Sequence, residues 1–192
     1  HRLLVALEQN KVDGYFNQIH DKIVAIPKGN GQYRWQMLNL GYVEILGVDI
    51  NADITLVPVR DLSLTLAGTY TYQRARDLTD CTSEFYGHQI AYIPWHSGSV
   101  TGNITWRHLS LNYSFIYVGE RYHQAANIPA NYEQPWYTHD LSVSYFLPFK
   151  TSSNRGLSFS VEINNLLNQQ YDVILNYPMP GINGKGIIRL LL

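Results

Sequence analysis

The sequence predicts an all-β fold: an antiparallel up-and-down meander of about eight strands, in a transmembrane β-barrel. The first observation behind this is strict alternation. Leu109, Leu111, Tyr113, Phe115 and Tyr117 take every second position, with Ser110, Asn112 and Ser114 between them. Successive side chains of a strand point to opposite faces, so such a segment is apolar on one side and polar on the other. The second observation is that connections sort by length. Residues 58–61, 107–109 and 148–156 make short links, and 27–37, 76–96, 123–136 and 165–185 make long ones, in alternation. A meander barrel puts alternate links at opposite ends, the short ones periplasmic, whereas a Greek-key sandwich has no reason to sort them. The third is that no run approaches the ~20 apolar residues of a membrane helix, so any membrane crossing is made by strands.

Eight strands are expected along the chain. The first spans about residues 4–26 and is clearest at 12–19 and 22–26. The second, about 38–57, sets Val48, Ile50, Ala52, Ile54 and Leu56 against Asp49, Asn51, Asp53 and Thr55. The third, 62–74, sets Leu62, Leu64, Leu66, Gly68, Tyr70 and Tyr72 against Ser63, Thr65, Ala67, Thr69 and Thr71. In the fourth, 97–107, Val100, Gly102, Ile104 and Trp106 oppose Thr101, Asn103, Thr105 and Arg107. The fifth spans 109–122. The sixth, 137–147, opposes Leu141, Val143, Tyr145 and Leu147 to Asp140, Ser142 and Ser144. The seventh starts at Leu157, with Leu157, Phe159, Val161 and Ile163 against Ser158, Ser160, Glu162 and Asn164, and the eighth spans 186–192. Helix competes only at 165–170, and no window sustains helical periodicity.

Composition narrows the function. Charged residues are 15% of the chain and the net charge is -1, so there is neither a basic field for nucleic acid nor an acidic tail. Fifteen Tyr stand against six Phe, which suits rings that meet lipid while their hydroxyls reach water. The single cysteine, Cys81, excludes a disulfide framework, and no Cys/His cluster points to a metal. The chain opens on His1 without a signal peptide and is expected to start inside a longer protein. Catalysis finds little support. His20-Asp21 and His139-Asp140 are strand neighbours that point apart, and no GxSxG, HExxH, Walker A or GxGxxG motif is present, which leaves an outer-membrane hydrolase as a weak alternative. No cofactor is implied.

Several fragments carry a family resemblance. The run Glu162-Ile163-Asn164-Asn165-Leu166-Leu167-Asn168-Gln169-Gln170-Tyr171-Asp172 resembles the penultimate-strand Asn-Leu…Tyr motif of TonB-dependent outer-membrane receptors. Asn39, Gly41, Gly47 and Asp49 resemble their N-x-G-x-x-x-x-x-G-x-E strand, with Asp for the usual Glu. Ile93-Pro94-Trp95-His96 resembles L-P-x-x-P-x-H without one proline, and Tyr117-Val118-Gly119-Glu120-Arg121-Tyr122 resembles Y-x-G-x-R-Y. Tyr177-Pro178-Met179-Pro180-Gly181 before a closing strand resembles the C-termini of Bacteroidetes members, although Leu192 stands where many end in Phe. The resemblance implies a 22-stranded barrel, of which these strands are the last eight, with an N-terminal plug and a TonB box that this chain does not contain. It also implies active uptake of a metal chelate such as an iron-siderophore or cobalamin, with haem a further cargo.

Two groups of site residues are expected. Asp49, Asn51, Asp53, Arg107, Asp140, Glu162 and Arg189 fall on inward faces, lining a lumen and meeting a plug. Arg76, Tyr86, His88, Trp95, Arg121, Tyr122, His123, Tyr132 and Trp136 sit at the outer ends, where aromatic faces and cations could hold an anionic, ring-bearing chelate. Tyr and Trp there also suit an interfacial girdle. Gly41, Gly47 and Gly119 are expected where strands bend or a ring covers bare backbone, and Asn164 and Asn165 where a strand turns. Two other readings remain: a self-contained eight-stranded barrel acting as anchor or adhesin, and a soluble β-sandwich binding module. As a piece of a larger barrel the chain would carry two open edges, near 4–19 and 186–192, and would pair edge to edge if isolated.

Overall fold

A computed structural model describes residues 4–7, 10–27, 35–149 and 152–191. One antiparallel sheet dominates. Its strands are β1 (Leu4–Leu7), β2 (Lys11–Pro27), β3 (Trp35–Val59), β4 (Leu62–Asp77), β5 (His96–Trp106), β6 (Leu109–Val118), β9 (Trp136–Phe149), β10 (Ser152–Asn164) and β13 (Asn183–Leu191). β1 and β2 both pair with β3 and form one edge row, so the sheet is a meander of eight rows ending at β13. The small pairs β7 (Arg121–Tyr122) with β8 (Tyr132–Glu133), and β11 (Asp172–Ile174) with β12 (Tyr177–Pro178), lie within two long links. One 3-10 turn, Pro129–Asn131, is the only helical element among the described residues.

The register joins like faces across the whole sheet. Leu64, Ile104, Leu111, Val143 and Val161 form one continuous row, and Thr65, Asn103, Asn112, Ser142 and Glu162 form the next. On the polar face small hydroxyls and amides bond across strands: Thr69 to Ser99 at 2.8 Å, Ser144 to Ser160 at 2.9 Å, Asn112 to Ser142 at 3.2 Å, and Asn103 to Asn112. The apolar face has no covering layer. Leu66 is 51% exposed, Val161 59% and Ile188 72%. A sandwich buries that face against a second sheet, so the sandwich reading fails. Among the described residues β13 and the β1–β2 row pair with no further strand, so the sheet is open and does not close into a small barrel.

The apolar band has a definite height. Tyr70, Tyr117 and Tyr137 share a row through Gly98, and Tyr70 Oη bonds His96 Nδ1 at 2.8 Å while Tyr113 Oη bonds His139 Nδ1 at 2.6 Å. Trp106 and Tyr145 mark the opposite end, in register with Leu62 and Leu109. From Leu62 to Tyr72 the strand covers about the 9–11 residues of a tilted membrane strand.

Three expectations need correction. Arg107 is not on an inward strand face: it occupies the turn after β5 with a left-handed φ of 54°, its guanidinium 5.6 Å from the Trp106 ring centroid. The fifth strand stops at Val118, because Gly119 N donates to His96 O and the chain then departs. The link 27–37 is shorter than expected, since pairing continues to Pro27 opposite Trp35 and leaves 28–34, which lie outside the described residues. Residues 165–170 form turns within the expected long link, in keeping with their lack of helical periodicity.

The β2–β3 hairpin also changes hands part-way. Below Asp21 the inner side chains are Tyr15, Ile19, Val43 and Ile45, and above it they are Lys22, Val24, Leu38 and Leu40. Asp21 is left-handed at φ 53°, and no pairing joins it to Gly41. Asp21 and Gly41 opposite it both drop out of the ladder, and the residues beyond them face the other way with the register unchanged. The polar face therefore gives way at the long-link end to a small apolar core of Val43, Ile45, Ala75 and Ile90.

Candidate ligand-facing site

The site lies where the long links meet over the polar face. Residues 78–95 fold back along the edge of β4 that β5 vacates above Tyr72. Ile90 N donates to Ala75 O, Asp77 N to His88 O and Gln73 N to Trp95 O. Gln89, 1% exposed, closes the remaining gap: its Oε1 accepts from Ala75 N at 2.9 Å, and its Nε2 donates to Gln73 O and Ile93 O. Asn127 then clasps the Gln89 backbone, accepting from its N–H at 2.7 Å and donating to its C=O at 3.1 Å.

Arg121 and Asn165 fasten the last link. Arg121 is 3% exposed, and its Nη2 donates to the carbonyls of Asp172 at 2.7 Å and Val173 at 3.1 Å. Burial lowers its pKa from the usual guanidinium value, and Glu133 opposes that shift. Asn165, left-handed at φ 51°, receives Gln169 N at its Oδ1 and donates Nδ2 to Gln169 O and Pro180 O, while its own N–H donates to Asp140 Oδ1 at 2.8 Å. This is the strand-to-turn role expected of a short amide. Tyr92 Oη accepts from Leu175 N, and burial raises its pKa.

Between these fastenings opens a cleft of about 330 Å³, lined among others by Tyr132, Glu133, Gln134, Trp136, Tyr171 and Asp172. Trp136 stacks on Tyr171 with centroids 4.4 Å apart and planes at 25°. A second hollow of about 440 Å³ lies on the polar face, touching Thr65, Asn103, Asn112, Ser142, Asp140 and Glu162.

The family model described as "TonB dependent receptor-like, beta-barrel" matches residues 9–166. The chain belongs to this family. Two solved receptors show the same fold around this TonB-dependent receptor-like barrel segment. One is the siderophore receptor PiuA from Acinetobacter baumannii, with TM-score 0.61, 14% identity, and coverage of 91% of this chain and 24% of that one. The other is the ferric-catecholate import receptor Fiu from Escherichia coli K12 in its closed form, with TM-score 0.61, 15% identity, and coverage of 98% and 25%. The chain thus spans about a quarter of the length of these receptors. No curated protein sequence matches it.

Within this receptor segment the expected outer residues separate. Tyr132 and Trp136 line the cleft, and Tyr122 meets Tyr132 edge-on at 5.9 Å. Arg121 and His123 are buried, the latter with Nδ1 2.9 Å from Glu133 Oε1, so neither offers a cation to the cleft. His88 is half-buried beside Ala125 O and Asn127 N. Trp95 is half-buried with its carbonyl on Gln73, and Tyr86 is exposed on the 78–95 link, away from the cleft lining. Arg76 is on the opposite face: in register with Glu44, it donates Nη2 to Glu44 Oε1 at 2.6 Å.

The inward set, Arg107 aside, shares the polar face. Asp49 accepts from Thr71 at 2.7 Å, Asn51 pairs with Thr69, Asp53 with Ala67, Arg189 with Ser158, and Glu162 bridges Lys185 at 2.9 Å. Sequence reasoning missed Gln89 and Asn127, for which no local pattern exists. It also missed Tyr171 as a site residue, although that ring closes the Asn-Leu…Tyr motif. Among the described residues no group of three His, Cys, Asp or Glu side chains converges to hold a metal ion.

Proposed function

We propose that this chain is the C-terminal wall of an outer-membrane active transporter that takes up a metal chelate, with an iron-siderophore the favoured cargo and cobalamin the second. The observation that carries the reading is the single open sheet, with one uncovered apolar face of membrane height and one hydrogen-bonded polar face. Lipid is the natural cover for the first and a lumen for the second. The eight rows would be the last eight of 22. The open edges would be closed by earlier strands, and the polar face would meet an N-terminal plug on which TonB pulls.

The family membership and two neighbours described as siderophore or ferric-catecholate receptors support this cargo class. The cleft contributes stacked aromatic rings and amides, and neither cavity is lined by Arg or Lys. Its contact with a chelate would therefore be with the ring-bearing, hydrogen-bonding part. The test is uptake of radioactive iron, chelated by catecholate and hydroxamate siderophores, in cells that carry or lack the full-length gene. Uptake should require the gene, the proton motive force and TonB, and Trp136→Ala should raise the half-saturating concentration. Uptake that persists without TonB, or a protein found outside the outer-membrane fraction, would overturn the reading.

A further inference from the structure

The apolar face does not end in neutral residues at the long-link end. Immediately beyond Tyr70 and Tyr72, the same face of β4 carries Arg74 and then Arg76, with no register shift between Leu64 and Asp77 on that strand. The two guanidinium groups start about 7 Å apart along the strand. Opposite them on β3 are Leu46 and Glu44, and beyond Glu44 on β2 is Gln18. The last apolar row, Phe16 to Leu46, thus runs directly into a cationic one.

The charges do not cancel. Glu44 Oε1 accepts from Arg76 Nη2 at 2.6 Å and lies 3.9 Å from Arg74 Nη2, so one carboxylate oxygen serves two guanidinium groups. Nε of both arginines is enclosed without a hydrogen-bond partner. The side chains remain 35% and 31% exposed, on the face that carries the exposed apolar residues. The site therefore sets two guanidinium groups against one carboxylate, with an apolar floor beneath.

We infer that Arg74 and Arg76, held apart and oriented by Glu44, form a binding site for the phosphate of an anionic lipid headgroup in the outer leaflet, whose acyl chains lie down the apolar face over Leu46 and Val48. Guanidinium groups match phosphate with forked hydrogen bonds, and a basic residue at a membrane surface adds about 1 kcal/mol of attraction to anionic lipid, about fivefold. Charge and floor select the same ligand: a free phosphate would satisfy the arginines but leave the apolar residues below uncovered. The inference rests on the proposed membrane setting.

The experiment uses the full-length receptor, with its plug, in zwitterionic detergent. It is titrated with diphosphoryl lipid A in mixed micelles, and bound lipid is counted by native mass spectrometry. The Arg74→Gln/Arg76→Gln variant should bind about twentyfold to thirtyfold more weakly, whereas Lys185→Gln, which removes one positive charge from the polar face, should bind like the wild type. The single Arg74→Gln variant, which leaves the Arg76–Glu44 bridge intact, should lose about fivefold, so the question stays decidable if the double variant misfolds. Equal affinity of the arginine variants, an equal loss in Lys185→Gln, or displacement of the lipid by equimolar inorganic phosphate would overturn the inference. A wild-type receptor absent from the outer-membrane fraction would instead sink the membrane setting. One that is present there, with variants indifferent to lipid, sinks only the headgroup site.

Discussion

Gln89→Leu is the most searching perturbation of the long-link end. Leucine keeps much of the volume of a side chain that is 1% exposed, but it removes three hydrogen bonds at once. The carbonyls of Gln73 and Ile93 lose one donor each, and Ala75 N–H is left buried with nothing to bond. Leaving a buried amide unsatisfied costs about 1–3 kcal/mol, and each of the two other lost hydrogen bonds about 1 kcal/mol net, so local opening of the 85–95 segment should become easier by about 3–5 kcal/mol. In hydrogen exchange on the full-length receptor, that is about a 150-fold to several-thousandfold acceleration at Ala75 and Ile90, while the β5–β6 ladder stays unchanged. Gln89→Glu should be no better, because it keeps the acceptor for Ala75 N–H but presents an oxygen to two carbonyls. Exchange at Ala75 and Ile90 within twofold of wild type in Gln89→Leu would refute the claim that this amide closes the sheet edge.

Arg121→Lys keeps the charge but cannot span the Asp172 and Val173 carbonyls, so limited proteolysis should cut 165–182 several times faster; Trp136→Ala should weaken chelate binding and leave that cleavage unchanged. Val143→Arg should lower the free energy of folding into lipid vesicles by about 2–4 kcal/mol if its face meets lipid, whereas its neighbour Ser142→Arg should cost far less. A methyl group at Gly47 would overlap the Tyr15 ring, so Gly47→Ala should cost about 1–3 kcal/mol, and Tyr15→Ala should recover most of the difference in a double-mutant cycle. Glu162→Gln breaks an ion pair whose lysine is 58% exposed, and should change stability by less than about 1 kcal/mol in a denaturant titration.

The strands and their faces were legible because alternation is a local property: each of Leu109 to Tyr117 announces its own side. Legibility failed where the backbone left that period. Asp21 and Arg107 are both left-handed, and neither residue type reveals this in advance. Past Asp21 the inner side passes to Val24 and Leu40, and past Trp106 the chain is already turning, which removed Arg107 from its expected face. The same parity that placed Leu62 to Tyr72 correctly also placed Arg76 away from the lumen, but its position at the end of a long link made it look like a ligand contact. In the cleft, Tyr132 and Trp136 were visible as aromatic residues near loop ends. Gln89 and Asn127 were not, because their roles arise from contacts across 38 positions of chain and from burial that no spacing encodes. Gly47 was readable as a place for a ring, and the ring is Tyr15.

The fastening of the outer links has a consequence for how such a wall can be altered. Asn127, on the link 119–135, grips the link 78–95; Arg121, on the same link as Asn127, holds the link 165–182; and Tyr92 bonds 165–182 from 78–95. None of the three is a self-sufficient module. Transplanted singly onto another barrel, the 78–95 segment would arrive without Asn127, and the 165–182 segment without Arg121, each with donors or acceptors left facing nothing. The three links should therefore be exchangeable only as one cassette. Chimaeras that swap all three together should fold where single swaps do not.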